Sequence, residues 1–237
     1  MAEILGVLFD KDGTLFSFHA TWSGWAARLI ADLAQGNDGH AAVLAQAIGY
    51  DLPSGQFAPD SPVIAGTPPE IAEMLVQHLP GKTLAGLVTQ MNGLAAAAQM
   101  AEAVPLIPLL DQLRARGLRL GLATNDGEAP ARAHLASAGI AGHFDYVAGS
   151  DSGHGGKPAP GMLLAFAATQ ALSPHQVVMV GDSTHDLIAG RAAGMATVAV
   201  LTGPATADDL DALADAVLPD IGHLPQWLDG KTGIAPA

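Results

Sequence analysis

Near the amino terminus six residues, Ile4 to Phe9, form an almost unbroken apolar run that stops abruptly at Asp10-Lys11-Asp12-Gly13-Thr14. A strand with one solvated face alternates apolar and polar residues. A continuous run instead marks a strand buried on both faces, as in a parallel sheet covered by helices. The same signature returns at Leu118 to Ala123, Tyr146 to Ala148, Val177 to Val180, Thr197 to Leu201 and, more weakly, Ala216 to Leu218. Helical patterns lie between these runs at Leu106 to Arg116, Ala129 to Ala138, Gly161 to Ala171, His185 to Ala193 and Asp208 to Ala214. Strand–helix–strand repetition from about residue 104 onward implies right-handed crossovers and an α/β fold with a doubly wound parallel sheet.

The first strand stands far ahead of the second, and residues 16–103 between them show no convincing strand. They read as helical. Trp22, Trp25, Leu29 and Leu33 keep helical spacing, and Thr67-Pro68-Pro69-Glu70 is a capping box ahead of Ile71, Met74, Leu75 and Leu79. The Pro-, Gly- and Ser-rich stretch Leu52 to Pro69 reads as a loop between two helices. The expected organisation is therefore a core of residues 1–15 and 104–237 with a helical unit, 16–103, inserted after the first strand. The apolar fraction, 49%, is ample for a packed interior, and the tail from Lys231 is expected to fray.

Composition removes several classes of function. With no cysteine the chain has no disulfide, thiolate metal site or Cys nucleophile, which suits a reducing compartment. A formal charge of −13 argues against nucleic-acid or anionic-lipid partners. Charges at Asp10, Lys11 and Asp12 interrupt the first apolar run, unlike a signal peptide. Thr, Gln, Asn and Gly dilute Thr83 to Ala101, the longest candidate span. The chain reads as soluble and cytoplasmic, as a monomer or homodimer.

Two carboxylates at the end of a buried strand are costly unless they have a task, and strand ends are where open α/β sheets bind ligands. Asp10 and Asp12, at i and i+2, point to one side. There they can share a divalent cation or divide labour, one ionised and one protonated. A plain Asp-Gly turn is the bland alternative, and three further stretches argue against it. The run Val177 to Val180 ends in Gly181-Asp182-Ser183-Thr184-His185-Asp186; Leu118 to Ala123 ends in Thr124-Asn125-Asp126-Gly127; Lys157-Pro158 lies in a glycine-rich loop. Carboxylates and oxygen donors without cysteine suit Mg²⁺, and a lysine with helix amino termini suits a phosphate.

Taken in order, Asp10-x-Asp12-Gly13-Thr14, Thr124-Asn125, Lys157-Pro158 and Gly181-Asp182-Ser183-x-x-Asp186 resemble the four motifs of the haloacid dehalogenase superfamily. The resemblance is to the branch with a helical cap after the first strand, and Gly190 to Met195 resembles its phosphoglycolate phosphatase members. It implies a Rossmann-like core, Mg²⁺, and a small phosphomonoester as substrate. It also implies that Asp10 is the nucleophile, forming an aspartyl-phosphate, and Asp12 the general acid and base. Mg²⁺ is then held by Asp10, the backbone carbonyl of Asp12 and Asp182, with Asp186 in support, while Thr124, Asn125 and Lys157 hold the phosphoryl oxygens. Two departures stand out: Lys11 replaces an apolar residue, and Phe16-Ser17-Phe18-His19 replaces the usual start of the cap.

A sugar phosphomutase uses the same paired Asp, and a non-catalytic phosphate-binding protein of this fold is a third reading. The second Asp disfavours dehalogenase and phosphonate hydrolase relatives. Trp22 and Trp25 read as cap core rather than pocket wall. His19 and His154 are candidates for reaching the leaving group, His185 sits on a helix amino-terminal turn, and His134, His143 and His175 read as surface or loop. Arg28 and Lys82 are the cap's two cations, and solvated surface is the expected role of each.

Overall fold

Strand β1 (Gly6–Phe9) runs through the middle of a six-stranded sheet in a computed structural model that describes residues 3–232. The chain leaves β1 into α1 (Phe18–Ala34), α2 (Asp38–Ala47), a small hairpin of β2 (Tyr50–Asp51) and β3 (Gln56–Phe57), then α3 (Pro62–Ala65), α4 (Pro68–Val76) and α5 (Leu84–Ala96). It returns through α6 (Leu106–Ala115), β4 (Arg119–Ala123), α7 (Glu128–Ser137), β5 (Tyr146–Ala148), α8 (Gly161–Thr169), β6 (Val177–Gly181) and α9 (Thr184–Ala193). Strand β7 (Ala196–Val200), α10 (Ala207–Leu210), β8 (Ala216–Leu218) and α11 (Leu224–Thr232) complete it. The sheet order is β5-β4-β1-β6-β7-β8 with every pairing parallel.

Side-chain alternation along β1 explains its continuous apolar character. Val7 and Phe9 face the cluster that holds Leu109, Leu110 and Leu113 of α6 and Leu224 and Leu228 of α11. Leu8 faces the opposite cluster, with Met162, Leu163 and Phe166 of α8. Both faces are dry, as a parallel sheet requires.

The inserted helices bury a cluster of their own. Trp22, Trp25, Ala26, Leu29, Ile30 and Leu33 of α1 form the stripe that packs against Leu44, Leu75, Leu87 and Met91. Ser17 caps α1, its hydroxyl accepting from Ala20 N. At α4 the capping box forms as expected, with Thr67 N donating to Glu70 Oε2 at 2.7 Å. The two chain crossings into this unit lie side by side: Ser17 N donates to Ala101 O at 2.8 Å and Ala103 N to Leu15 O at 2.9 Å.

Three expectations need correction here. Residues 16–103 do contain strand, the hairpin β2–β3, and the stretch expected as a loop from Leu52 to Pro69 holds β3 and α3. The single helix expected at Asp208 to Ala214 is instead α10 followed by a 3₁₀ turn at Asp211–Leu213. Helix α11 continues through Thr232, so the start of the expected frayed tail is helical, and the remainder lies outside the described residues. Among the described residues no helix is long and apolar enough to cross a membrane.

Candidate active site

Parallel register builds the floor of the site. Phe9 is level with Leu122 of β4 and Val180 of β6, so all three strands deliver their next residues to one rim. The loop before α8 carries Lys157 across the same rim. Asp10, Asp12, Thr124, Asn125, Lys157, Asp182 and Asp186 all line one cavity.

Asp10, Asp182 and Asp186 are buried, with carboxylate oxygens all within 4.8 Å of one another. The Lys157 ammonium donates to Asp10 Oδ1 at 2.5 Å and to Asp186 Oδ1 at 2.6 Å. Three carboxylates against one ammonium leave two negative charges uncompensated in a dry place. Burial raises the Asp10 carboxyl to about 7, Lys157 opposing and the charges of Asp186 and Asp12 adding to the rise. Burial, then Asp10 and Asp186, hold Asp182 well above its ordinary value. For Lys157 burial opposes the charged form, but Asp10 and Asp186 outweigh it and raise the pKa. One divalent cation cancels the excess charge, and an all-oxygen donor set is what Mg²⁺ takes, so the residues fit that ion.

The surrounding chain holds these groups tightly. A β-carbon on Gly13, whose φ is +79°, would lie 2.2 Å from Asp182 Oδ2, and one on Gly203 only 1.6 Å from it. Asp186 Oδ2 accepts from Ser183 N at 3.0 Å and from Ser183 Oγ at 2.7 Å, which closes the capping box that starts α9. Asn125 spends both amide hydrogens on the carbonyls of Ala65 and Lys157, at 2.7 and 2.8 Å, and its Oδ1 accepts from Lys157 N. It thereby pins the Lys157 loop between sheet and inserted helices. Thr124 Oγ1 accepts from Asp126 N at 3.1 Å, which leaves its hydroxyl hydrogen for an anion.

Asp12 stands beside a second network. Its Oδ2 is 3.2 Å from the Lys11 ammonium, while its buried Oδ1 has no hydrogen-bond partner among the described residues. Lys11, fully buried, also donates to Asp126 Oδ2 at 2.7 Å and to His134 Nδ1 at 2.9 Å. Its charge lies 5.3 Å from the centroid of the Trp22 ring. His134 Nε2 in turn meets Ala95 O of α5 at 2.7 Å. An ammonium can only donate and a carbonyl can only accept, so His134 is neutral with its proton on Nε2. Burial and then the Lys11 charge lower its pKa. His134 is therefore an interior link between α7 and α5, contrary to its expected place on the surface. No local motif marks Asp126 or His134 as partners of a buried cation. The available signal was Lys11, a cation that buried surroundings oblige to find partners.

The remaining wall comes from the inserted helices. Trp22 and Trp25 belong to the helical core and also line the cavity, so the expected choice between the two roles does not arise. His19 and His154 are exposed and outside the cavity, whereas His185 is at its edge.

Comparison with known proteins agrees with this architecture. A phosphoglycolate phosphatase from Rhodospirillum rubrum is 38% identical over 122 residues, 52% of this chain and 51% of that protein. The chain thus spans about half the length of the curated relatives it matches. Its fold is similar to a HAD phosphatase from Thermococcus onnurineus, with a TM-score of 0.68 at 21% identity over 96% of this chain and 99% of that one. It is equally similar to a β-phosphoglucomutase from Clostridium difficile, at 0.69 and 15% over 98% of this chain and all of that one. The family model of haloacid dehalogenase-like hydrolases matches residues 4–194, and the chain belongs to that family.

Proposed function

We propose that this protein is a Mg²⁺-dependent, cytoplasmic phosphatase that hydrolyses a small phosphomonoester through an aspartyl-phosphate, with residues 16–103 acting as a cap. The observation that carries this reading is the trio Asp10, Asp182 and Asp186 converging with Lys157 beside the unpartnered Oδ1 of Asp12. Asp10 attacks phosphorus, and the bond from phosphorus to the ester oxygen breaks. Asp12 gives that oxygen its proton and then takes one from the water that attacks the phosphoenzyme, releasing phosphate and restoring Asp10. Thr124 and Lys157 hold the phosphoryl oxygens, and Asn125 acts by fixing the Lys157 loop. Asp10, the Asp12 carbonyl and Asp182 would hold Mg²⁺, with Asp186 supporting it. The ion supplies charge stabilisation to the transferring phosphoryl group. Phosphoglycolate, named by the relatives, is the reference ester.

Asp10→Asn is expected to lower turnover by about a thousandfold or more while circular dichroism stays unchanged. A variant with near-normal rates removes Asp10 from the role of nucleophile. Excess chelator is expected to abolish activity and added Mg²⁺ to restore it. Inorganic phosphate released without a bisphosphate activator separates hydrolysis from the phosphomutase reading.

A further inference from the structure

The cavity has two chemically different walls. On the sheet side are the carboxylates, Thr124 and Lys157; facing them, from the inserted helices, are Phe18, Trp22, Trp25, Ile64, Ile71 and Met91. Asn92 is the polar side chain that this second wall adds. Trp25 Nε1 donates to Met91 O at 3.2 Å, so its polar edge is already engaged.

Among the described residues this wall carries no cation that lines the cavity. Arg28 and Lys82, the lysine and arginine of residues 16–103, are exposed and outside the cavity. Arg28 pairs with Asp32, and Lys82 donates to Gln90. The Lys11 ammonium beneath Trp22 is fully buried, with Asp126, His134 and Asp12 as its three partners. His185 belongs to the sheet side, at the mouth that the cavity shares with an outer groove.

We infer that the pocket takes the phosphate ester of an uncharged, largely apolar alcohol, and selects against esters of hydroxy acids such as glycolate. This rests on the phosphatase reading above and names the substrate class for that site. A leaving-group carboxylate would lose its hydration against aromatic rings without a counter-charge, and would face Asp12 and Asp126 as well. A hydrocarbon leaving group gains from the same burial, and its aromatic members stack on Trp22 and Trp25.

The test measures phosphate release by the full chain with Mg²⁺ from 2-phenylethyl phosphate, n-butyl phosphate and phosphoglycolate. The two apolar esters are expected to exceed phosphoglycolate in kcat/KM by about tenfold or more. Phosphoglycolate turned over as well as either overturns the substrate class while leaving the phosphatase reading intact. Silence on all three esters, and on a panel of sugar and nucleotide monophosphates, overturns both. Ile64→Lys sets an ammonium on the half-buried rim of the apolar wall. It is expected to move the preference toward phosphoglycolate by about tenfold, and an unmoved ratio in a folded variant also overturns the assignment.

Discussion

Replacing Lys11 with methionine keeps an unbranched side chain one atom shorter and removes the charge that Asp126 faces at 2.7 Å. Breaking a buried pair from one side leaves the other charge stranded, which costs about 3–5 kcal/mol. Lys11→Met is therefore expected to lose about 3 kcal/mol in urea unfolding, and Asp126→Asn in the same chain to recover at least about 1 kcal/mol of it. Strictly additive losses in the double variant would show that the pair does not act as a unit. The candidate catalytic residues were legible because each follows an apolar strand in a short motif, as Asp10 follows Phe9 and Asp182 follows Gly181. The partners of Lys11 were not, because 115 residues separate it from Asp126 and 123 from His134. Such contacts arise from the packing of β1 against its neighbours, and no local spacing encodes them.

Helix α7 touches α5 through His134, whose other nitrogen, Nδ1, accepts from Lys11 only while the ring is neutral. The folded imidazole binds its proton more weakly than the ordinary value of 6.5. As pH falls through that value the unfolded chain takes up the proton first, so the stability that this histidine contributes drops toward acid, while the raised carboxyls of Asp10 and Asp182 act in the opposite sense. Between about pH 7 and about pH 5.5 the Tm of the natural chain is expected to drop relative to that of His134→Gln. Equal slopes would remove the histidine from the linkage. The strands of the six-stranded sheet and the helices α6, α7, α8 and α9 between them were readable to within two residues, since runs such as Val177 to Val180 are dry on both sides, whereas the inserted helices showed as spacing without bounds. The hairpin β2–β3 escaped because two residues per strand are too few to show a period, and Pro and Gly surround it. Helix α10 was overdrawn because the turn at Asp211–Leu213 continues its apolar spacing in a tighter coil.

For the molecule as a whole, an ion that cancels the excess charge at Asp10, Asp182 and Asp186 binds only the folded chain. A ligand at a hundred times its Kd adds about 2.7 kcal/mol. In a chain of this size that corresponds to a rise in Tm of about 5–10 °C on adding saturating Mg²⁺. Asp182→Asn is expected to lose that rise, and a shift of normal size in the variant would place the ion elsewhere. The doubly wound core was foreseeable from the alternation of apolar runs and helices, and so was an insertion after β1. The chemistry of the insertion's inner wall was not, because the same tryptophans that keep helical spacing also face the cavity.

Ser17 and Ala101 are hydrogen-bonded neighbours, as are Leu15 and Ala103, so the long excursion departs and returns through a single doorway. Beyond that doorway the excursion is tied to the core by Asn125 Nδ2 on Ala65 O and by His134 Nε2 on Ala95 O, so any other chain hung there would have to supply both carbonyls again to keep the Lys157 loop and α7 in place.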